Sequence, residues 1–179
     1  MTADDTIIRQ ATLADVDAIA ANNVAMAAET EGLRLDPSTV RMGVYRVLTD
    51  DEKGRYYLAE RGGRVVGQLL VTREWSDWRN DWFWWIQSVY VVPAARGAGV
   101  YRALHEYVER RARHTPGVCG LRLYVDRRNQ IAREIYEHLG LRPTGYEFLQ
   151  LDWAEPGASG VPPAGKTAAP ADDQPGLQD

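Results

Sequence analysis

Cysteine is almost absent from this sequence: Cys119 is the only one in 179 residues. That excludes an internal disulfide framework and a thiolate-rich zinc site. Cys119 itself opens an apolar run and reads as a small buried residue. Histidine is scarce too. His105, His114 and His138 lie on two helical stretches without ligand spacing, so no metal centre is expected. No apolar run approaches the roughly 18 residues that cross a membrane. Neither sign of charge dominates, since 21 Lys and Arg against 25 Asp and Glu leave −4. Nucleic-acid binders usually carry a net basic face, so neither a nucleic-acid nor a membrane partner is expected. The first ten residues, MTADDTIIRQ, are acidic and lack the apolar core of a signal peptide. Together these absences predict a soluble, cytoplasmic protein.

The length suits one domain with a core large enough to need no covalent staple. Residues 154–179 differ from the rest. They hold 6 Ala, 5 Pro and 4 Gly and a net charge of −3, against −1 for residues 1–153. Such a composition cannot bury enough surface to offset its ordering entropy. The expected organisation is a folded domain over 1–153 and a disordered Pro/Ala/Gly tail over 154–179. Within the tail, Gly160 to Thr167 match G-x-x-x-x-G-K-[ST] letter for letter. A phosphate loop needs a strand before it and a helix after it. Pro162 and Pro163 fall inside the match and Pro170 and Pro175 follow it, so we read it as chance.

Residues 6–9 read as a short strand. Thr12, with Asp15 three residues later, is a variant capping box. Leu13, Val16, Ile19 and Ala20 then recur at helical spacing, to about Glu29. Asp36-Pro37 opens a second helix with Val40, Val44, Val47 and Leu48 on one face. Residues 55–60 and 65–72 are β-rich and joined by the turn Arg61-Gly62-Gly63-Arg64. A long aromatic strand over 82–92 ends at Pro93. Gly97 and Gly99 lead into a third helix with Tyr101, Leu104, Val108 and Ala112 on its apolar stripe. A strand over 118–125, a helix over 129–139 capped by Gly140, and a last strand or strand pair over 145–153 follow. The order β-α-α-β-β-β-α-β-α-β predicts an α/β protein with a mixed sheet.

Arg96, Gly97 and Gly99 sit where the third helix begins. A helix start offers unpaired N–H donors and a positive dipole end, and glycine lets an anion approach the backbone. Alone, this is also what any flexible loop needs. On the fourth helix, Asn129, Ala132 and Tyr136 share a face. Alone, Tyr136 reads as a half-buried aromatic.

Together the two stretches say more. R-G-A-G-V-Y, following V-Y-V-V-P, resembles motif A of the GNAT superfamily of N-acetyltransferases, Q/R-x-x-G-x-G/A. Arg96 matches the first position and Gly99 the glycine. Tyr101 departs from the final Gly or Ala, which is tolerable if its ring turns into the core with Leu104 and Val108. N-Q-I-A-R-E-I-Y-E-H-L-G-L, residues 129–141, is similar to motif B of the same superfamily. The two motifs stand in the family's order with a strand between them, and the resemblance covers about 6–153.

The resemblance implies the GNAT acyltransferase fold and direct transfer of the acetyl group of acetyl-CoA, as cosubstrate, to an amine in a ternary complex. It implies cofactor contacts at Val89, Tyr90, Val91, Arg96, Gly97, Ala98, Gly99, Val100, Tyr101, Asn129 and Tyr136. The backbone around Val89 and Val91 would meet the oxyanion, and Tyr136 would protonate the departing thiolate. Arg127 and Arg128 would help hold the adenosine phosphate end. The acceptor implied is a small-molecule or peptide amine. The alternative on the same fold is a non-catalytic acyl-CoA-binding or sensor module.

Many family members carry a basic glutamate on the strand before motif A. From 82 to 92 this sequence has no Asp or Glu. Glu29 and Glu31, in the loop after the first helix, are the favoured substitutes. Glu74, Asp77 and Asp81 lie in the turn before the aromatic strand. Trp75, Trp78, Trp82, Trp84 and Trp85 place five of six tryptophans in 11 residues. On a strand, Trp82, Trp84 and Ile86 face one side and Phe83 and Trp85 the other. One set is core; the other is either core as well or the wall of an acceptor pocket.

Overall fold

The computed structural model describes residues 6–151 and 153. The chain begins with β1 (Ile7–Gln10), followed by one 3₁₀ turn (Leu13–Asp15). Next come α1 (Val16–Thr30), α2 (Pro37–Thr49), β2 (Arg55–Arg61), β3 (Arg64–Ser76) and β4 (Asp81–Val91). It continues through α3 (Val100–Arg113), β5 (Val118–Leu123) and α4 (Gln130–His138). Local chemistry starts each early helix. The Thr12 N–H donates to Asp15 Oδ2 at 2.7 Å, and Arg9 grips the same carboxylate with two bonds of 2.8 Å. Asp36 accepts from the Thr39 N–H at 2.8 Å, with Pro37 in the first turn of α2.

The five strands form one sheet in sequence order, antiparallel from β1 to β4, with β5 parallel to β4. One face, with Tyr57, Leu69, Val71, Trp84 and Ile86, packs on Val100, Leu104, Val108 and Ala112 of α3. The other, with Tyr56, Leu58 and Leu70, packs on Val16, Ile19 and Ala20 of α1 and Val44 of α2. Strands buried on both faces read as continuous apolar runs, as Tyr56-Tyr57-Leu58-Ala59 does. Gly67 sets the depth of α3. A Cβ there would stand 2.7 Å from Val100 Cγ1, so only glycine lets the first turn of α3 settle onto β3.

The expected strand over 145–153 is corrected. The described residues of that stretch contain no strand, and the sheet ends at β5. Tyr146, Phe148, Leu149, Leu151 and Trp153 are exposed, with the Phe148 ring resting 4.8 Å from that of Tyr124. Apolar alternation marks a strand that would suit a half-buried face, but a strand forms only where an edge is paired. The run expected over 118–125 pairs only as far as Leu123. The tail and its phosphate-loop match, within 154–179, lie outside the described residues.

Candidate active site

The aromatic strand β4 is interrupted at one point. Gln87 faces Leu70 of β3 and Tyr90 faces Gln68, so Ser88 and Val89 together oppose Leu69. This is a β-bulge. Ser88 adopts φ +48°, a left-handed conformation that costs a non-glycine residue free energy. Pairing with β5 stops just before it, at Ile86 and Leu123. Past the bulge the β5 side of β4 is therefore an open strand edge. The Val92 N–H donates to Val66 O on β3, at 3.0 Å. Successive N–H groups along a strand alternate between edges, so the Val91 N–H faces the open side, and by the same alternation so does that of Val89.

Immediately after β4 the chain turns into α3. Gly97 and Gly99 both take φ near +73°, and Gly99 is the N-cap of α3. No atom lies within 4 Å of where a Cβ of either would stand, so the backbone faces open space. The loop is fixed from behind by Arg61, which donates to Ala98 O at 3.0 Å and to Thr6 Oγ1 at 2.6 Å. The first N–H groups of α3 thus point from an unencumbered turn, an arrangement suited to a phosphate.

Arg96 turns away from that helix start. Its guanidinium makes a bidentate pair with Glu29 at 2.6 and 2.8 Å, donates to Val91 O at 2.9 Å, and lies 5.6 Å from the Tyr90 ring centre. Two side chains singled out separately in the sequence are thus one unit. The hydrogen bonds that Arg96 donates, with its charge, lower the Glu29 pKa. Glu31, two residues on, borders the cleft between β5, α3 and α4, with Arg128 as a charged neighbour.

Tyr136 lines the same cleft and meets Tyr101 edge to face, with ring centres 5.4 Å apart. Burial raises the pKa of Tyr136, which keeps its phenol protonated near neutral pH. Tyr101 does not turn in with Leu104 and Val108. Val100 takes the core position, and Tyr101, about 100° further round the helix, points at α4 and at His105 Nδ1, 3.4 Å from its hydroxyl. Asn129 caps α4, its Oδ1 accepting from the Ala132 N–H at 3.0 Å. Arg127 pairs with Glu147 and Arg128 with Asp126. Among the described residues no three His, Cys, Asp or Glu side chains gather as metal ligands do.

The tryptophan faces are resolved. Trp84 and Ile86 belong to the core under α3. Phe83 is buried on the opposite face beneath the Arg122 guanidinium, 3.6 Å from its ring centre. Trp85 borders the cleft, stacked on Tyr124 with ring centres 4.3 Å apart. Glu74 binds both Trp85 Nε1 and Arg122.

One feature was missed by sequence reasoning. Asn22 and Asn23 of α1, Gln68 of β3 and Tyr56 of β2 form a chain of hydrogen bonds between helix and sheet. Asn22 Nδ2 donates to Gln68 Oε1 at 2.9 Å, Gln68 Nε2 to Asn23 Oδ1 at 2.8 Å, and Asn23 Nδ2 to Tyr56 Oη at 3.0 Å. Gln68 is 0% exposed. The available signal was polarity out of place: a glutamine inside V-V-G-Q-L-L-V, and two asparagines in an alanine-rich helix. A polar residue in an apolar run is buried only with partners.

Known proteins share this architecture. The profile of the acetyltransferase (GNAT) family matches residues 25–141. The crystal structure of a possible acetyltransferase from Clostridium difficile 630 is 37% identical, covers 85% of this chain and 100% of its own, and superposes with a TM-score of 0.78. A second, described as a probable acetyltransferase, is 25% identical over 83% of this chain and 99% of its own, at TM-score 0.74. A predicted acetyltransferase from Clostridium acetobutylicum, solved with acetyl-CoA, shares the fold at 16% identity, over 82% of this chain and 96% of its own, at TM-score 0.67. No curated protein sequence matches the chain. The family match spans both sequence motifs, the β4 bulge and the glycine turn, and on that ground the chain belongs to the GNAT acetyltransferase family.

Proposed function

We propose that this protein is an N-acetyltransferase that moves the acetyl group of acetyl-CoA directly to an amine in a ternary complex. The observation that carries the reading is the junction at the end of β4. There an open strand edge, with the Val89 and Val91 N–H groups on it, runs into the bare glycine turn at the start of α3. The turn and the N–H groups of Val100 and Tyr101 suit the pyrophosphate, and the open edge suits the pantetheine arm. The amine nitrogen attacks the thioester carbonyl carbon, and negative charge builds on its oxygen. Backbone N–H donors on β4 stabilise that charge. The carbon–sulfur bond then breaks, and the thiolate takes the phenolic proton of Tyr136. Burial leaves the phenol protonated at neutral pH, so it carries the proton that the transfer uses.

The amine must lose a proton. The hydrogen bonds from Arg96, with its charge, lower the basicity of Glu29, which supports Glu31 as the group that accepts it through water. With no Asp or Glu from Trp82 to Val92, the site favours amines of low pKa. An α-amine near 7.7–8.0 is roughly a quarter neutral at pH 7.4, while a lysine amine near 10.4 is about 0.1% neutral.

Tyr136→Phe tests the reading. It retains acetyl-CoA affinity by calorimetry while turnover falls about 10²-fold, the scale of a lost general acid. Unchanged turnover removes Tyr136 from the mechanism.

A further inference from the structure

The bulge in β4 presents a physical question. Ser88 holds a left-handed conformation in the middle of a strand, without the excuse of being glycine. Such strain persists only where the surroundings over-determine it. The surroundings here are the buried amide chain. Each member donates in the same direction, from Asn22 to Gln68, to Asn23, to Tyr56. Tyr56 Oη is thereby an acceptor, and its own proton remains to be given. The Ser88 side chain is a further polar neighbour of that hydroxyl. Tyr56 and Gln68 are 3% and 0% exposed, so neither is in contact with bulk water. Hydrogen bonds aligned in this way polarise one another and rigidify their members.

The geometry also fixes the bulge from its two flanks. Leu70, the partner of Gln87, pairs with Tyr56 on its other side. Gln68, the partner of Tyr90, is itself a member of the chain. The β3 residues on either side of Leu69, which faces the bulge, are thus tied to α1: Gln68 directly by a hydrogen bond, and Leu70 through the core it shares with Val16 and Ile19. We propose that Tyr56 and Gln68 are positioning residues, which lock the bulge at Ser88 so that the Val89 and Val91 N–H groups stay aimed at the open edge. The inference rests on the reading of that edge as the site of acyl transfer, but the lock itself is measurable without turnover.

The experiment compares wild type, Tyr56→Phe, Ser88→Gly and the double variant. Glycine adopts φ +48° without strain, so it needs no lock. Tyr56→Phe accelerates amide hydrogen exchange at Tyr90 and Val92 by about tenfold or more, while the β2–β3 amides and α3 keep wild-type protection. It lowers kcat about tenfold, a fraction of the 10²–10³ lost with an oxyanion donor, and leaves the KM for acetyl-CoA within about twofold. Adding Ser88→Gly returns both exchange and kcat to near wild type. A general loss of stability would raise exchange throughout and would not be rescued at position 88. Exchange at Tyr90 and Val92 that is unchanged in Tyr56→Phe, or a double variant no better than the single one, overturns the proposal. If wild type turns over no amine, the acyl-transfer reading fails, and the exchange arm still decides the lock.

Discussion

The Arg96 side chain leaves the helix start that its own backbone serves. Motif spacing located the residue and the glycine turn correctly, because glycine at φ near +73° is a backbone requirement that a sequence displays. It did not show where the guanidinium goes. That depends on Glu29, 67 residues earlier, and on the Tyr90 ring, which only the folded chain brings near. The same holds for Ser88, beside whose left-handed backbone the fold brings Tyr56 of β2. Pairing also separates the two candidate bases. Glu31→Gln lowers kcat/KM by about 10² and flattens the acidic limb of the pH–rate profile, whereas Glu29→Gln leaves that limb in place. An acidic limb retained in Glu31→Gln assigns the base elsewhere.

Elements were legible wherever local chemistry starts or stops them. The capping box at Thr12 and Asp15 and the Asp36-Pro37 start both appear as hydrogen bonds. The final strand was not, because alternation reports a face and says nothing of a free edge. The Arg9–Asp15 clasp between β1 and the 3₁₀ turn before α1 gives a pH prediction. The Arg9 guanidinium lowers the Asp15 pKa from 3.8 to about 2, helped by the Thr12 N–H. A depressed carboxylate stabilises the fold above its unfolded pKa and loses that contribution as pH falls through the folded one. Stability therefore drops between about pH 4 and pH 2, by at most about 2 kcal/mol from this group, since Arg9 is about a third exposed. Asp15→Asn lowers the melting temperature at pH 7 and removes that part of the acid dependence. An Asp15→Asn protein with the wild-type acid limb would contradict the assignment.

The described residues form a sheet covered by helices on both faces, in which the pairing of β4 with β5 ends at Ile86 and Leu123. Its class and helix order were legible because hydrophobic period and turn residues agree along most of the chain. The open edge of β4 was not, since it depends on where pairing with β5 ends and on a bulge against β3, both of which only the folded sheet shows. Its use is the central claim, and one measurement tests it most directly. Purified wild-type protein is incubated with acetyl-CoA and a panel of amines spanning α-amines, lysine-type amines and small polyamines, and thiol release and acetylated amine are quantified together. The account predicts equal amounts of free CoA and N-acetylated product with at least one amine, and higher rates for amines of lower pKa. Acetyl-CoA that binds with no amine acetylated at any pH from about 7 to 9 would contradict it and identify the fold here as an acyl-CoA-binding module.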